Sequence, residues 1–314
     1  MNLLEKISEF DNLSAAFLEC SRGKKRSTGY QRAMFAHGEK LLFIRKKLLS
    51  GTYMWNIYRE IIVKDPKTRL IMAAPFLDRV VHTAIHRVIG PLVERRLSSS
   101  VYACRVGMGN RYAAIALLNE IKRLGERRFV VKLDVRKYFD SINHKVLMDK
   151  LSAVLPDEST NALLWSLLLS QPMYAQRGFG LPIGNLTSQL FANFYLAEVD
   201  KIAATNVEDG FYFRYMDDMV IGGRSKGKIL DIADAMVNHA MADLKLNIPF
   251  NKRMPIGDAP VPFLGYVLDH TGYRVLTRNI RRHRKRIQRL EKSNARPSEI
   301  EIRNMSFGAF ARLI

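Results

Sequence analysis

Cysteine is nearly absent from this chain: Cys20 and Cys104 are the only two in 314 residues. Two thiols cannot build a disulfide framework or a four-ligand zinc site. No run of 18 consecutive apolar residues occurs, so no membrane-spanning helix and no membrane partner is expected. The opening stretch, MNLLEKISEFDNL, carries acids early and lacks an apolar core segment, so it is not expected to act as a secretory signal. Internal repeats and low-complexity tracts are missing, and no long Gly/Ser/Pro linker interrupts residues 60–270. Acids are scarce as well, 30 Asp+Glu against 50 Lys+Arg, a net charge of +20. Apolar residues at 47% are enough for a proper core, so global disorder is excluded. What remains is a soluble intracellular globular protein with a charge suited to a polyanion.

The positive charge is clustered. Residues 22–47 hold nine Lys/Arg and one acid, Glu39; residues 274–292 again hold nine against one, Glu291. The second stretch lacks Gly and Pro and has Ile280, Ile287 and Leu290 at helical spacing, which predicts a basic amphipathic helix over 274–292. Such a helix suits a phosphate backbone, with Arg281, Arg282, Arg284 and Lys285 as contacts. A solvated face or a membrane-surface helix would look the same. Between these ends, short β-rich runs (129–134, 211–216, 219–221, 263–268) alternate with helical stretches such as 186–204 and 228–244. The mixture predicts an α+β fold, with helices packed on a small antiparallel sheet.

Three acidic positions stand out. The apolar run Val130–Leu133 ends on Asp134, where a carboxylate can leave a sheet edge, and Asn143 follows as a helix N-cap. Taken alone, Asp134 fits a cap or turn equally well. Asp217-Asp218 lies between two apolar runs, as at the tip of a β-hairpin, and turn chemistry alone could place it there. Joined on neighbouring strands, Asp134 and Asp217 would offer a hard cation the carboxylates it takes beside substrate phosphates. His82 and His86 have no third ligand at useful spacing and fit a helix facing core and solvent. Between the acids runs Gly178–Gln189, a Gly/Pro loop entering a helix, in which Asn185, Thr187 and Ser188 supply caps or polar contacts.

The order strand-Asp134, then Leu181-Pro182-Ile183-Gly184-Asn185-Leu186-Thr187-Ser188-Gln189, then Tyr215-Met216-Asp217-Asp218 resembles the palm motifs of reverse transcriptases. Lys64–Ile71 and Phe76–Val81 are similar to the fingers segments of that family, and Phe263-Leu264-Gly265-Tyr266 to its primer-grip hairpin. The likeness covers roughly residues 55–290. Most members carry Q-G-x-x-x-S-P at the loop; the I-G-x-x-x-S-Q form here, with Cys104-Arg105, is similar to the enzymes of diversity-generating retroelements, which relate to the group II intron type.

The resemblance implies a right-hand polymerase fold: a basic helical region at 1–60, fingers at 61–128 with parts of 146–182, palm at 129–266, and a short basic helical thumb at 267–314. With the length allotted to these parts, no RNase H module is expected within these residues. It implies RNA-directed DNA synthesis, error-prone at template adenines, in the cytoplasm of a bacterium or from a phage. Asp134 and Asp217, with Asp218 and the Val135 carbonyl, would bind two Mg²⁺ ions, Mn²⁺ being a substitute. Lys64 and Arg69 would hold the incoming triphosphate, with Lys67 as a competitor; Ile183, Gly184 and Gln189 would line the nucleotide site. Phe139 would exclude a 2′-hydroxyl, or else pack in the core, where Tyr138 belongs. Lys252 would protonate the leaving pyrophosphate. Partners would be template RNA, primer, cDNA, dNTPs and a small basic oligomeric accessory protein. Three other readings stand beside this one: a reverse transcriptase of a phage-defence or other bacterial element, a non-catalytic nucleic-acid binder, and a two-metal nuclease.

Overall fold

A computed structural model of the chain describes residues 2–64, 68–249, 253–293 and 295–313. The fold is α+β, as expected. The chain begins with four helices, α1 (Leu3–Ser8), α2 (Phe10–Ser21), α3 (Thr28–Met34) and α4 (His37–Leu49). A hairpin follows, β1 (Arg59–Lys64) and β2 (Thr68–Ala73), then α5 (Phe76–Glu94) and α6 (Asn110–Leu124). Strand β3 (Phe129–Asp134) leads into α7 (Tyr138–Ser141), α8 (His144–Val154), α9 (Glu158–Leu168) and α10 (Pro172–Ala175). Next come α11 (Leu186–Tyr195), α12 (Ala197–Asn206), the hairpin β4 (Gly210–Tyr215) and β5 (Asp218–Gly223), and α13 (Lys226–Ala242). The remainder is β6 (Arg253–Gly257), β7 (Val261–Phe263), β8 (Tyr266–Asp269), β9 (Gly272–Val275), α14 (Thr277–Lys292) and α15 (Pro297–Ala311).

Two compact units result. The first takes residues 1–97, 136–198 and 239–247. Its centre is α5, whose Val80, Val81, Ala84, Ile85 and Ile89 recur at three- and four-residue intervals and are fully buried. It packs on α2 and α11. Asp157, just before α9, ties the N-terminus in by accepting from the Leu4 backbone N–H at 3.1 Å.

The second unit takes residues 98–135, 199–238 and 248–314. Its four-stranded antiparallel sheet has the order β4-β5-β3-β6, so β3 is inserted beside a hairpin formed eighty residues later. Alternation along the strands sends Val130, Val220, Phe211 and Phe213 into a core with Ala113, Leu117 and Ile121 of α6. A three-stranded sheet, β7-β8-β9, contributes Val261, Phe263, Tyr266 and Leu268 to the same core.

The structure departs from expectation in particular places. The helix expected over 186–204 is two helices, α11 and α12, turning at the fully buried Leu196 without Gly or Pro to mark the break. The basic helix expected from 274 starts at Thr277, because Arg274 and Val275 pair with Val267 and Tyr266 in β9 and β8. The run 263–268 is the end of one strand and most of the next, broken at Leu264-Gly265, where both residues have positive φ, 48° and 96°. Strand β6 contains Pro255 and sits at a sheet edge, a place where a sheet tolerates proline.

Candidate active site

Asp134 is the last residue of β3 and is paired across the ladder with Asp218, the first residue of β5. Directly opposed residues share a face, and like charges there repel. The sequence answers this two positions earlier: Lys132 lies on the same face, diagonal to Asp218, and its Nζ reaches the Asp218 carboxylate at 2.7 and 2.8 Å. Asp218 was expected to join the metal-binding carboxylates. Its side chain is paired here with Lys132, and the two residues line one cavity of about 450 Å³ with Phe263, Leu264 and Gly265.

Asp217 stands on the β4–β5 turn behind Met216, whose φ of 56° is the left-handed value a two-residue hairpin loop favours. Its carboxyl shares a hydrogen bond with that of Asp134. Burial first, then the Asp134 charge and to a lesser degree that of Asp218, push Asp217 up to about 6. The convergence of Asp134 and Asp217 expected from the sequence is therefore present.

The turn is braced from below. Arg214 Nη1 donates to the Met216 carbonyl at 3.0 Å. Nε and Nη2 of the same guanidinium bind the two oxygens of Asp200 on α12, each at 2.6 Å, and Tyr212 Oη joins at 2.7 Å. Sequence reasoning assigned none of Lys132, Arg214 and Asp200 a role. An arginine in the middle of an otherwise apolar strand, Phe211–Tyr215, is the signal that was available for one of them.

The nucleotide-site candidates lie in the first unit. Lys64 and Arg69 are both exposed, on facing strands of the β1–β2 hairpin, where Lys64 pairs with Thr68 and Arg69 with Val63. The Ile183 carbonyl accepts from the Met72 N–H of β2 at 2.9 Å, which fixes the loop to that hairpin. Gly184, at φ 117°, comes so close to β2 that an added Cβ would lie 2.9 Å from the Ile71 side chain, so only glycine suits the position. Phe139 is half-buried on α7, and its carbonyl accepts from Leu181 N–H at 2.8 Å. Tyr138 is buried and donates to the Ala192 carbonyl, as a core residue should. Gln189 is half-buried on α11. The expected pyrophosphate donor Lys252 and the competitor Lys67 lie outside the described residues.

His82 is a core residue: it bridges Tyr58 Oη at 2.7 Å and Thr187 Oγ1 at 2.8 Å, and burial pushes it down to about 3, so it stays neutral. In the second unit, Phe263 and Tyr266 pair across the β7–β8 hairpin. Its Gly265 carbonyl accepts from Leu276 N–H at 2.9 Å and Asn279 Nδ2 at 3.2 Å, anchoring the start of α14. Arg281, Arg282, Arg284 and Lys285 on that helix are exposed.

Among the described residues no cluster of three or more His, Cys, Asp or Glu side chains is arranged to hold a metal. The Asp134–Asp217 pair nevertheless fits a hard divalent cation. Mg²⁺-type sites use one or two carboxylates and take their other oxygens from water and phosphate. The two half-buried carboxyls, close enough for the Asp134 charge to raise Asp217, are oxygen donors that a cation would relieve of repulsion.

Residues 62–268 match the family model described as reverse transcriptase (RNA-dependent DNA polymerase). Protein YkfC of Escherichia coli K12 is 25% identical over 170 residues, covering 52% of this chain and 45% of its own length. The group II intron-encoded protein LtrA of Lactococcus lactis is 26% identical over 170 residues, covering 52% of this chain and 28% of its own. The matches thus span less than half of these curated relatives. Candida albicans telomerase, solved with a fragment of telomeric RNA, superimposes with a TM-score of 0.53 at 12% identity, over 72% of this chain and 46% of that one. Apo telomerase from Candida tropicalis gives 0.50 at 9%, over 69% and 48%. These likenesses establish a shared fold.

Proposed function

The chain belongs to the reverse transcriptase (RNA-dependent DNA polymerase) family, and we propose that it copies template RNA into cDNA from dNTPs at the end of β3. The observation that carries this is the half-buried carboxyl pair of Asp134 and Asp217, held at the end of β3 and on the β4–β5 turn. Asp134, Asp217 and the Val135 carbonyl are the groups we assign to Mg²⁺. When bound, the ions would lower the pKa of a primer 3′-hydroxyl and neutralise charge on the departing pyrophosphate. The chain's own residues act by positioning. Lys64 offers the triphosphate a point charge and Arg69 a fork. Phe139 crowds the 2′ position of the sugar. The Phe263–Tyr266 hairpin holds the primer, the basic face of α14 tracks the backbone, and Lys252 is the candidate proton donor to pyrophosphate.

The test is primer extension on an RNA template with dNTPs and Mg²⁺, with Asp217→Asn as control. The parent is expected to extend and the variant to be inert. Extension that survives in Asp217→Asn would remove that carboxylate from the mechanism. Endonuclease activity without extension would favour the nuclease reading.

The finer reading is a diversity-generating retroelement enzyme served by a small basic oligomeric accessory protein. It is supported by Ile183 where most family members carry glutamine, and by Cys104-Arg105. Isoleucine has no donor or acceptor to fix an incoming nucleotide. One lost contact costs about 1 kcal/mol, or roughly five- to tenfold in discrimination. Ile183→Gln should therefore lower misincorporation opposite template adenine by about that factor. An unchanged cDNA error spectrum would refute the fidelity argument. Near-identical repeats differing at adenines beside the gene would support the retroelement role; their absence favours a phage-defence element.

A further inference from the structure

We infer that Lys132 is a positioning residue for the polymerase reaction, a cationic rivet joining the catalytic hairpin to the hairpin that would hold the primer end. This rests on the polymerase reading above. The ammonium donates to Asp218 Oδ2 and to the Pro262 carbonyl, each at 2.8 Å, and lies 2.7 Å from Asp218 Oδ1 as an ion pair. Nζ also lies over the Phe263 ring, 5.6 Å from its centroid. Pro262 and Phe263 belong to β7, and Phe263 pairs directly with Tyr266 of β8. One side chain on β3 therefore grips the first residue of β5 and the strand that opens the Phe263–Tyr266 hairpin.

The site is built for this rather than for general stability. The Lys132 side chain is 12% exposed and that of Asp218 27%, so the pair is withdrawn from water but not sealed. No backbone ladder joins β7 to β5, since the two belong to different sheets. A single lysine thus makes a connection that the secondary structure does not. It also gives the second aspartate of the Asp217-Asp218 pair an occupation of its own. Asp217 faces Asp134, whereas Asp218 serves as the anchor for Lys132 and, through it, for the primer-end hairpin. Asp218 then acts through geometry, and its partner lysine is the group whose loss should show in the turnover step.

Positioning and backbone binding predict different kinetics. Loss of alignment between primer terminus and carboxylates lowers kcat while leaving affinities alone, and misplacement by about 1 Å costs about 100-fold. We expect Lys132→Met to lower kcat about 10- to 100-fold. The KM for dNTP and the primer–template Kd, read by fluorescence anisotropy of a labelled duplex without dNTP, should both stay within about twofold. Lys132→Arg, whose fork can reach both Asp218 and the Pro262 carbonyl, should recover most of the rate. Thermal melting reports whether each variant is folded. If the Met variant does not melt cooperatively, Lys132→Gln, which keeps a donor without the charge, carries the same comparison. An active parent with kcat within twofold in the Met or Gln variant overturns the inference while leaving the polymerase reading intact. So does a primer–template affinity that falls as far as kcat, which would make Lys132 a simple backbone contact, or an Arg variant no better than Met. A parent with no extension activity removes the polymerase reading and this inference with it.

Discussion

Arg214 and Asp200 form a two-pronged ion pair with neither side chain exposed to solvent, Nε and Nη2 each 2.6 Å from a carboxylate oxygen. The remaining amino group, Nη1, donates to the carbonyl of Met216, one residue before Asp217. A charge this deep is tolerable only because its partners are complete, and removing one partner strands the other. Breaking such a pair costs about 3–5 kcal/mol. Arg214→Met should lose about that much, seen as a lower urea midpoint at unchanged slope. Replacing both partners with apolar residues should be far milder than the single change, because no buried charge is left alone. A single variant as stable as the parent would show that Asp200 finds another partner.

Asp157 gives a pH-dependent case. Burial opposes its charge, but the hydroxyls of Thr160 and Ser159 and the Leu4 and Thr160 backbone N–H groups outweigh it and hold the carboxyl down to about 2 from an ordinary 3.8. A depressed carboxylate contributes its stability above the ordinary value and loses it as pH falls toward the folded value. Asp157→Asn should therefore be less stable than the parent at pH 6, by about 1 kcal/mol once the effect of the lost charge is discounted for solvent screening. The gap should close progressively between pH 4 and pH 2. Melting curves of both proteins across that range check it, and a gap constant with pH would assign the loss to packing.

The legible parts of this fold are those set by neighbours in sequence. Strand β3 matches its expected bounds, Phe129–Asp134, since an apolar run ending on an acid reads the same in either direction of inference. Asn143 caps α8 as predicted, accepting from Val146 N–H at 3.1 Å. What stayed hidden depends on which strands become neighbours. Lys132 meets Asp218 only because β3 inserts beside β5, across 86 residues of chain. Asp200 meets Arg214 only because α12 packs under β4. Neither pairing leaves a periodic trace, so a lysine inside a strand reads as a solvated side chain until the sheet order is known. The split at Leu196 and the strand β9 belong to the same class: burial overrides local propensity at Leu196, and pairing with β8 does so along β9.

Phe139 should control sugar selection. The ring is half-buried on α7, tilted 76° to the ring of the fully packed Tyr138 at 5.9 Å, so its backbone is held while part of its face is open. If it crowds the 2′ position, Phe139→Ala should admit ribonucleotides with little loss of dNTP use. A steric contact of this kind carries about 1–3 kcal/mol, so the ratio of kcat/KM for dNTP over rNTP should fall about 10- to 200-fold. Single-nucleotide extension with each sugar measures the ratio. An unchanged ratio with a lowered melting temperature would make Phe139 a core residue and nothing more.

Nucleic-acid binding by α14 should weaken steeply with salt. Helix α14 carries eight Lys/Arg and one acid, buries no residue fully, and is fastened at its start to the Gly265 carbonyl. None of Arg281, Arg282, Arg284 and Lys285 forms an ion pair among the described residues, so each keeps a full charge to offer. Each phosphate neutralised contributes about 0.7 to 0.9 to the slope of log affinity against log salt. Changing all four to glutamine should flatten that slope by about 3 if all four sit on phosphates. The effect should be independent of template sequence, because backbone contacts carry no base information. Melting should change little, since exposed charges on a helix face hold little of the fold together. A slope that stays as steep in the quadruple variant would move the electrostatic footprint to the other basic cluster, residues 22–47, and leave α14 as a solvated face.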